Sequence, residues 1–263
     1  MMGMIKKILP GCLAAALMVI VLLGSHKSIF ANPYNEVIKQ ANIEYSSGYY
    51  DQALELYIAV VEQGYESAEL YYNIGNTFFK LNRIPESILY YERAKRLAPR
   101  DENIRFNLEL ARTRTIDKIE SIPELFYERW FRSLLSIHHA DGWGKLSIVF
   151  IFLAMALAVV FLLTIRRWLR VLSFYLGLVF IIFSLITLAF AFTQHYQRTV
   201  KAEAIVFDPT VTVKSSPSEG SIDLFVIHEG TKVRITDRVG EWMEVRIASG
   251  SMGWLKANAV EKI

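Results

Sequence analysis

Cysteine is nearly missing from this 263-residue chain, with Cys12 its one thiol. An intramolecular disulfide and a Cys-ligated metal site are thereby excluded. An excess of either charge is missing too. Lys and Arg number 29 against 26 Asp and Glu, so the net charge is +3. No polybasic surface points to nucleic acid. No nucleophile–base arrangement, phosphate loop or carboxylate pair stands out, and Gly11 and Gly142-x-Gly144 are too sparse to cradle a phosphate. The expectation is a protein that is not an enzyme and needs no cofactor.

What is present is long apolar sequence. Residues 145–165 and 171–193 form two runs of more than 20 residues each, uncharged past Lys145. At about 1.5 Å per residue each crosses a ~30 Å hydrocarbon core. Between them lies a short basic turn, 166–170, with Arg166, Arg167 and Arg170. Three arginines there mark the cytoplasmic side. The segments before and after the hairpin are therefore expected on the opposite face. Neither run carries a carboxylate, lysine or histidine in its core; Ser173, Ser184 and Thr187 are the polar residues deep in the second. An ion or proton path needs ionisable groups at that depth, so the hairpin reads as an anchor.

The N-terminus agrees with this direction. Lys6 and Lys7 precede an apolar stretch, Ile8 to Gly24, with small residues at Ser28 and Ala31. That is a secretory signal pattern over residues 1–31, and an uncleaved anchor is the alternative. Either form exports residue 32 onward.

Residues 34–101 carry an internal repeat of period 34, within a domain expected to span 34–119. Gly75 falls on Ala41, Asn76 on Asn42, Phe79 on Tyr45, Ser87 on Ala53 and Tyr91 on Tyr57. This pattern resembles the tetratricopeptide repeat, whose units are antiparallel helix pairs. Small residues at Ala41, Ala53, Gly75, Ser87 and Ala94 let paired helices approach, while Tyr57, Phe78 and Tyr91 fill the space between them. Gly48 and Asn82 suit helix-to-helix turns that require positive φ. Residues 102–119 read as a closing helix. The resemblance implies a groove, lined by each first helix, that binds protein or peptide segments. Ile38, Asn42, Tyr45, Ser46, Tyr72, Asn76, Phe79, Lys80, Phe106 and Arg114 would face it. Asn42 and Asn73 match the asparagines of a carboxylate clamp, but Ile38 and Asn103 stand where its cations belong, so no clamp is expected.

Residues 120–144 form an amphipathic linker. Leu125, Phe126, Trp130, Phe131, Leu134 and Leu135 make one apolar stripe, Ser121 and Glu124 a capping box, and Trp143 a headgroup anchor. The competing reading is a helix packed on the repeats. His138, His139 and Asp141 do not make a metal site. Adjacent helical histidines diverge by about 100°, and Asp141-Gly142 reads as a turn.

Residues 202–263 alternate Val, Ile and Thr with polar residues between frequent turn signals, the pattern of a small all-β barrel. Val211 to Pro217, Leu224 to Val233, Trp242 to Val245 and Gly253-Trp254-Leu255 together resemble the bacterial SH3-type domain. The resemblance implies a ligand face at Trp242 and Trp254, for cell-wall peptides or proteins. His228 has no cysteine partner and reads as a turn residue.

The expected fold class is thus multidomain: an all-α tetratricopeptide repeat domain, a two-helix transmembrane hairpin and a small all-β SH3-like barrel. That order resembles the Bacteroides aerotolerance (Bat) operon family, in which repeat proteins accompany von Willebrand A-type membrane proteins and an AAA-type ATPase. It implies an inner-membrane scaffold of an envelope complex linked to oxygen or stress tolerance. Its partners would be other membrane subunits of a Bat-type complex, and its folded domains would be periplasmic. The alternative is a peptidoglycan-binding envelope protein that works through the SH3-like domain.

Overall fold

The computed structural model describes residues 34–119, 126–138, 140–200 and 202–263. The expected signal segment, the capping box at Ser121 and Glu124, and His139 lie outside the described residues. The described chain divides into two compact units. One holds 34–119 with the C-terminal segment from 202, and the other holds 126–199.

In the first unit, helices α1 (Asn35–Ser46), α2 (Tyr50–Glu62), α3 (Ala68–Lys80), α4 (Ile84–Leu97) and α5 (Glu102–Arg112) follow one another. Their ends have local causes. The Ser67 hydroxyl accepts from the Leu70 N–H, and Asp101 accepts from the N–H groups of Asn103 and Ile104. Pro85 stands in the first turn of α4, where a missing N–H is harmless. Gly48 turns α1 into α2 with φ +85°, and Asn82 turns α3 into α4 with φ +58°. These left-handed residues sit 34 apart, as the repeat expects.

Ala41, Ala53, Tyr57, Val60, Leu70, Ile74, Phe78 and Ala94 form the buried core. Gly75 lets α4 come close: a Cβ there would lie 2.6 Å from the Tyr91 ring. The matching position on α5 is Glu109, whose side chain is exposed and paired with Arg112. A glutamate thus replaces the small residue that stands at this position in α1 and α3. Among the described residues of this unit, α5 is the last α-helix.

The C-terminal segment instead folds as seven antiparallel strands among the described residues. They are β1 (Glu203–Val206), β2 (Thr210–Lys214), β3 (Asp223–His228), β4 (Lys232–Val239), β5 (Trp242–Arg246), β6 (Met252–Lys256) and β7 (Val260–Lys262). Their order is β3-β2-β6-β5-β4-β1-β7. Val211, Val213, Ile227, Val233, Met243, Val245 and Leu255 point into one core, following the period-two alternation of a half-buried sheet.

The repeats and this sheet are separate segments in the sequence, yet they share a core. Ile205 of β1 is fully buried in a cluster with Ile88, Leu89, Leu108 and Ala111 of α4 and α5. Gly230 (φ +81°) sits against Thr115 so closely that a Cβ would lie 2.7 Å from the threonine methyl. The sheet thus covers the apolar end that two repeat units alone would expose.

The second unit contains α6 (Phe126–Leu135), α7 (Ala140–Leu163) and α8 (Arg167–Val200). Helices α7 and α8 are long and apolar enough to cross a membrane. Their polarity is inside-out. Leu162 and Leu185 are exposed, whereas Ser147, Ser173, Ser184 and Thr187 are buried. Ser173, Gly177, Ser184 and Thr187 fall on one stripe of α8, and the hydroxyls of Ser147 and Ser184 pair at 3.0 Å between the helices. Small and hydroxylated residues at the helix contact suit association in lipid.

Three expectations for this region change. Asp141 and Gly142 are not a turn but lie in the first turn of α7, where the helix dipole favours the aspartate. The basic turn is shorter than 166–170, because α8 already begins at Arg167. Trp143 is buried rather than set out as an anchor. Its indole N–H donates to the Leu135 carbonyl at 2.9 Å, and its ring meets Phe190 edge-on at 5.1 Å. Phe131 also meets Phe190, at 5.8 Å, so α6 packs on the hairpin through part of its apolar stripe, while Trp130 stays exposed.

Candidate functional site

The first helices of the repeats, α1, α3 and α5, are joined by polar contacts that recur every 34 residues. Asn42 Oδ1 accepts from the Tyr57 hydroxyl at 2.5 Å and from Asn73 Nδ2 at 3.2 Å. Asn76 Oδ1 accepts from the Tyr91 hydroxyl at 2.6 Å and from Asn107 Nδ2 at 2.8 Å. Asn107 also donates to the Tyr72 hydroxyl at 2.9 Å. The members of the two triads move by one period, 42 to 76, 57 to 91 and 73 to 107, whereas Tyr72 falls on Ile38 and has no counterpart.

Burial, with Tyr45 and Glu69 nearby, pushes the Tyr57 hydroxyl up to about 12, and burial drives Tyr91 upward as well. Both phenols therefore remain protonated donors at neutral pH. They occupy the amide oxygens, which orients each Asn42 and Asn76 amide. The Nδ2 groups of Asn42 and Asn76 have no partner among the described residues.

Around these amides the expected residues distribute as follows. Ile38, Asn42, Tyr45 and Ser46 lie on α1; Tyr72, Asn76, Phe79 and Lys80 lie on α3; Phe106 lies on α5, and Arg114 just after it. Tyr45 meets Tyr50 edge-on at 5.3 Å, and Tyr72 lies 6.0 Å from Tyr91. The Arg114 guanidinium stands 5.9 Å over the Phe79 ring. Phe106 is 69% exposed, a large apolar side chain with no cover. Lys80 and Arg114 have no carboxylate partner among the described residues. Two members escape the sequence reading, Asn107 and the exposed Leu110. Period arithmetic reaches both, since they stand 34 after Asn73 and Asn76.

Amide donors at repeat spacing match backbone carbonyls of an extended chain, and the rings offer apolar contact.

A second polar cluster fastens the sheet to α4 and α5. Glu92, 3% exposed at its side chain, accepts from Lys232 at 3.0 Å and pairs with Arg112. Asp117 accepts from the His228 N–H at 2.7 Å and the Thr231 hydroxyl at 2.7 Å, and pairs with His228 Nδ1 at 2.8 Å. His228 is thus a fastening residue at the end of β3. On the sheet, Trp242 faces Lys256 and Trp254 faces Glu244 across β5 and β6. Met243, Val245 and Leu255 point inward, so both tryptophans share the opposite, outer face, half-buried.

A tetratricopeptide repeat family model matches residues 38–102, from α1 to the first residue of α5. No curated protein matches the chain. Tetratricopeptide repeats generally bind proteins or peptides and are non-catalytic scaffolds. The helical half of the first unit is therefore tetratricopeptide-like, which suggests protein–protein interaction.

Proposed function

We propose that this chain is a membrane-anchored interaction scaffold whose repeat helices hold an extended segment of a partner protein. The doubled asparagine–tyrosine network carries the reading. It orients two amides, Asn42 and Asn76, one repeat apart, whose donors have no partner among the described residues. Phe79, Phe106, Lys80 and Arg114 flank them, which favours a segment with apolar side chains and an acidic residue near α5. Helices α7 and α8 supply the anchor, because hydroxyl pairs rather than ionisable groups occupy their contact.

The arginine turn favours an extracytoplasmic position for the repeats and the sheet. The strand pattern favours an SH3-type domain, and the order of segments favours a Bat-type envelope complex serving oxygen or stress tolerance. Crosslinking in native membranes, followed by mass spectrometry, should recover a defined set of envelope proteins. With Lys80→Ala and Phe106→Ala together, that set should be lost while thermal unfolding stays unchanged. Undiminished recovery would sink the groove assignment.

The shared outer face of Trp242 and Trp254 favours a second reading, in which the sheet binds peptidoglycan. Solubilised full-length protein should then sediment with purified peptidoglycan, and Trp242→Ala with Trp254→Ala should abolish it.

A further inference from the structure

From Gly142 to Ala202 the chain contains neither Asp nor Glu. Three arginines nevertheless gather where α7 turns into α8. Arg170 has a partner, for its guanidinium lies 4.8 Å over the Phe161 ring. Arg166 and Arg167 have none among the described residues. Together with Trp168, Val171, Leu172 and Tyr175 they line an open cleft of about 950 Å³. That is the scale of a site for a small molecule.

The chemistry of the lining changes along α8. Two guanidinium groups with no partner among the described residues stand at the turn. Val171, Leu172 and Tyr175 follow over about 12 Å of helix rise. A small inorganic anion would use the first part and leave the second uncovered. A zwitterionic lipid would bring its own cation beside two unneutralised arginines. The occupant that satisfies both parts has an anionic head and an apolar tail.

We propose that this cleft binds the headgroup of an anionic phospholipid, with the phosphate on Arg166 and Arg167 and the start of an acyl chain along Val171, Leu172 and Tyr175. The guanidinium fork matches phosphate oxygens two at a time. Trp168 and Tyr175, both mostly exposed, suit the headgroup level. The proposal rests on α7 and α8 being a membrane hairpin.

The full-length protein would be released from vesicles holding equal parts phosphatidylglycerol and phosphatidylcholine, and its retained lipids weighed by native mass spectrometry. Phosphatidylglycerol should be retained in preference. R166Q with R167Q should lower that preference about thirtyfold, at roughly 1 kcal/mol per arginine, while R170Q should leave it unchanged. Carbonate extraction of the same vesicles separates two kinds of failure. A chain that washes out loses its hairpin reading, and the site with it. A chain that stays but retains both lipids alike has no headgroup site. An equal loss in R170Q would reduce the site to general surface charge and overturn it. Displacement of the lipid by millimolar inorganic phosphate would make a free anion the ligand and overturn the lipid assignment.

Discussion

Tyr57 and Tyr91 bury their rings between helices and spend their hydroxyls on asparagine oxygens one repeat apart. Tyr91→Phe keeps the ring and removes one donor. It should lower stability by about 1 kcal/mol in chemical denaturation, the usual worth of such a bond. Asn107 still reaches Asn76, so the loss should not exceed this range. Gly75 separates two opposing effects. Alanine gains about 1 kcal/mol of helix propensity but meets the Tyr91 ring at 2.6 Å. Gly75→Ala should therefore fall near neutral, since the first unit tolerates Ala41, whereas Gly75→Val should cost roughly 2 kcal/mol or more. Thermal unfolding distinguishes the two. Gly48 and Asn82 are legible in the sequence because few residue types accept positive φ. The asparagine–tyrosine bonds are not, because period arithmetic says which residues correspond but not which ones touch.

At the scale of elements, the apolar runs announce α7 and α8, and the 34-residue period announces α1 to α4. Element ends are less legible. Asp141 and Gly142 carry the composition of a turn, yet the dipole of α7 accepts the aspartate in its first turn. Trp143 carries the composition of an interfacial anchor, yet the Leu135 carbonyl and the Phe190 edge take it inside. The helix contact of the hairpin gives a graded prediction. Ser184→Ala should weaken it by only about 0.6 kcal/mol, the typical worth of a hydrogen bond between membrane helices. Gly177 has ordinary room for one methyl, since a Cβ would lie 3.7 Å from that of Leu157. Gly177→Ala should be tolerated, and Gly177→Leu should force the helices apart. Unfolding in mild detergent, followed by helix content, orders the three variants.

Across the whole molecule, the least legible feature is the union of the repeats with the sheet. Asp117 and His228 are 111 residues apart, and Glu92 and Lys232 are 140 apart. Separations of that length carry no local pattern. The union also has a pH signature. Burial pushes Glu92 upward, but Lys232, Lys95 and Arg112 outweigh it and hold the carboxyl below its ordinary value. Burial likewise pushes Asp117 upward, and the hydrogen bonds from His228 and Thr231 outweigh it. Both groups are thus more acidic when folded. Their stabilisation is complete above the unfolded values, about 3.9 for Asp and 4.3 for Glu, and is lost as pH falls below them. Urea midpoints should drop below about pH 4. Asp117→Asn should lower the midpoint at pH 7 and flatten that acid decline.

The central claim, a partner segment held along α1, α3 and α5, has a direct test in native membranes. A photoreactive phenylalanine analogue placed at Phe106 would report on the groove, and one at Tyr49, which is exposed at the α1–α2 turn, would serve as reference. Position 106 should give a discrete adduct that vanishes when Lys80 and Arg114 are changed to alanine, and position 49 should give no such adduct. The same adducts from both positions, or none from 106, would contradict the claim.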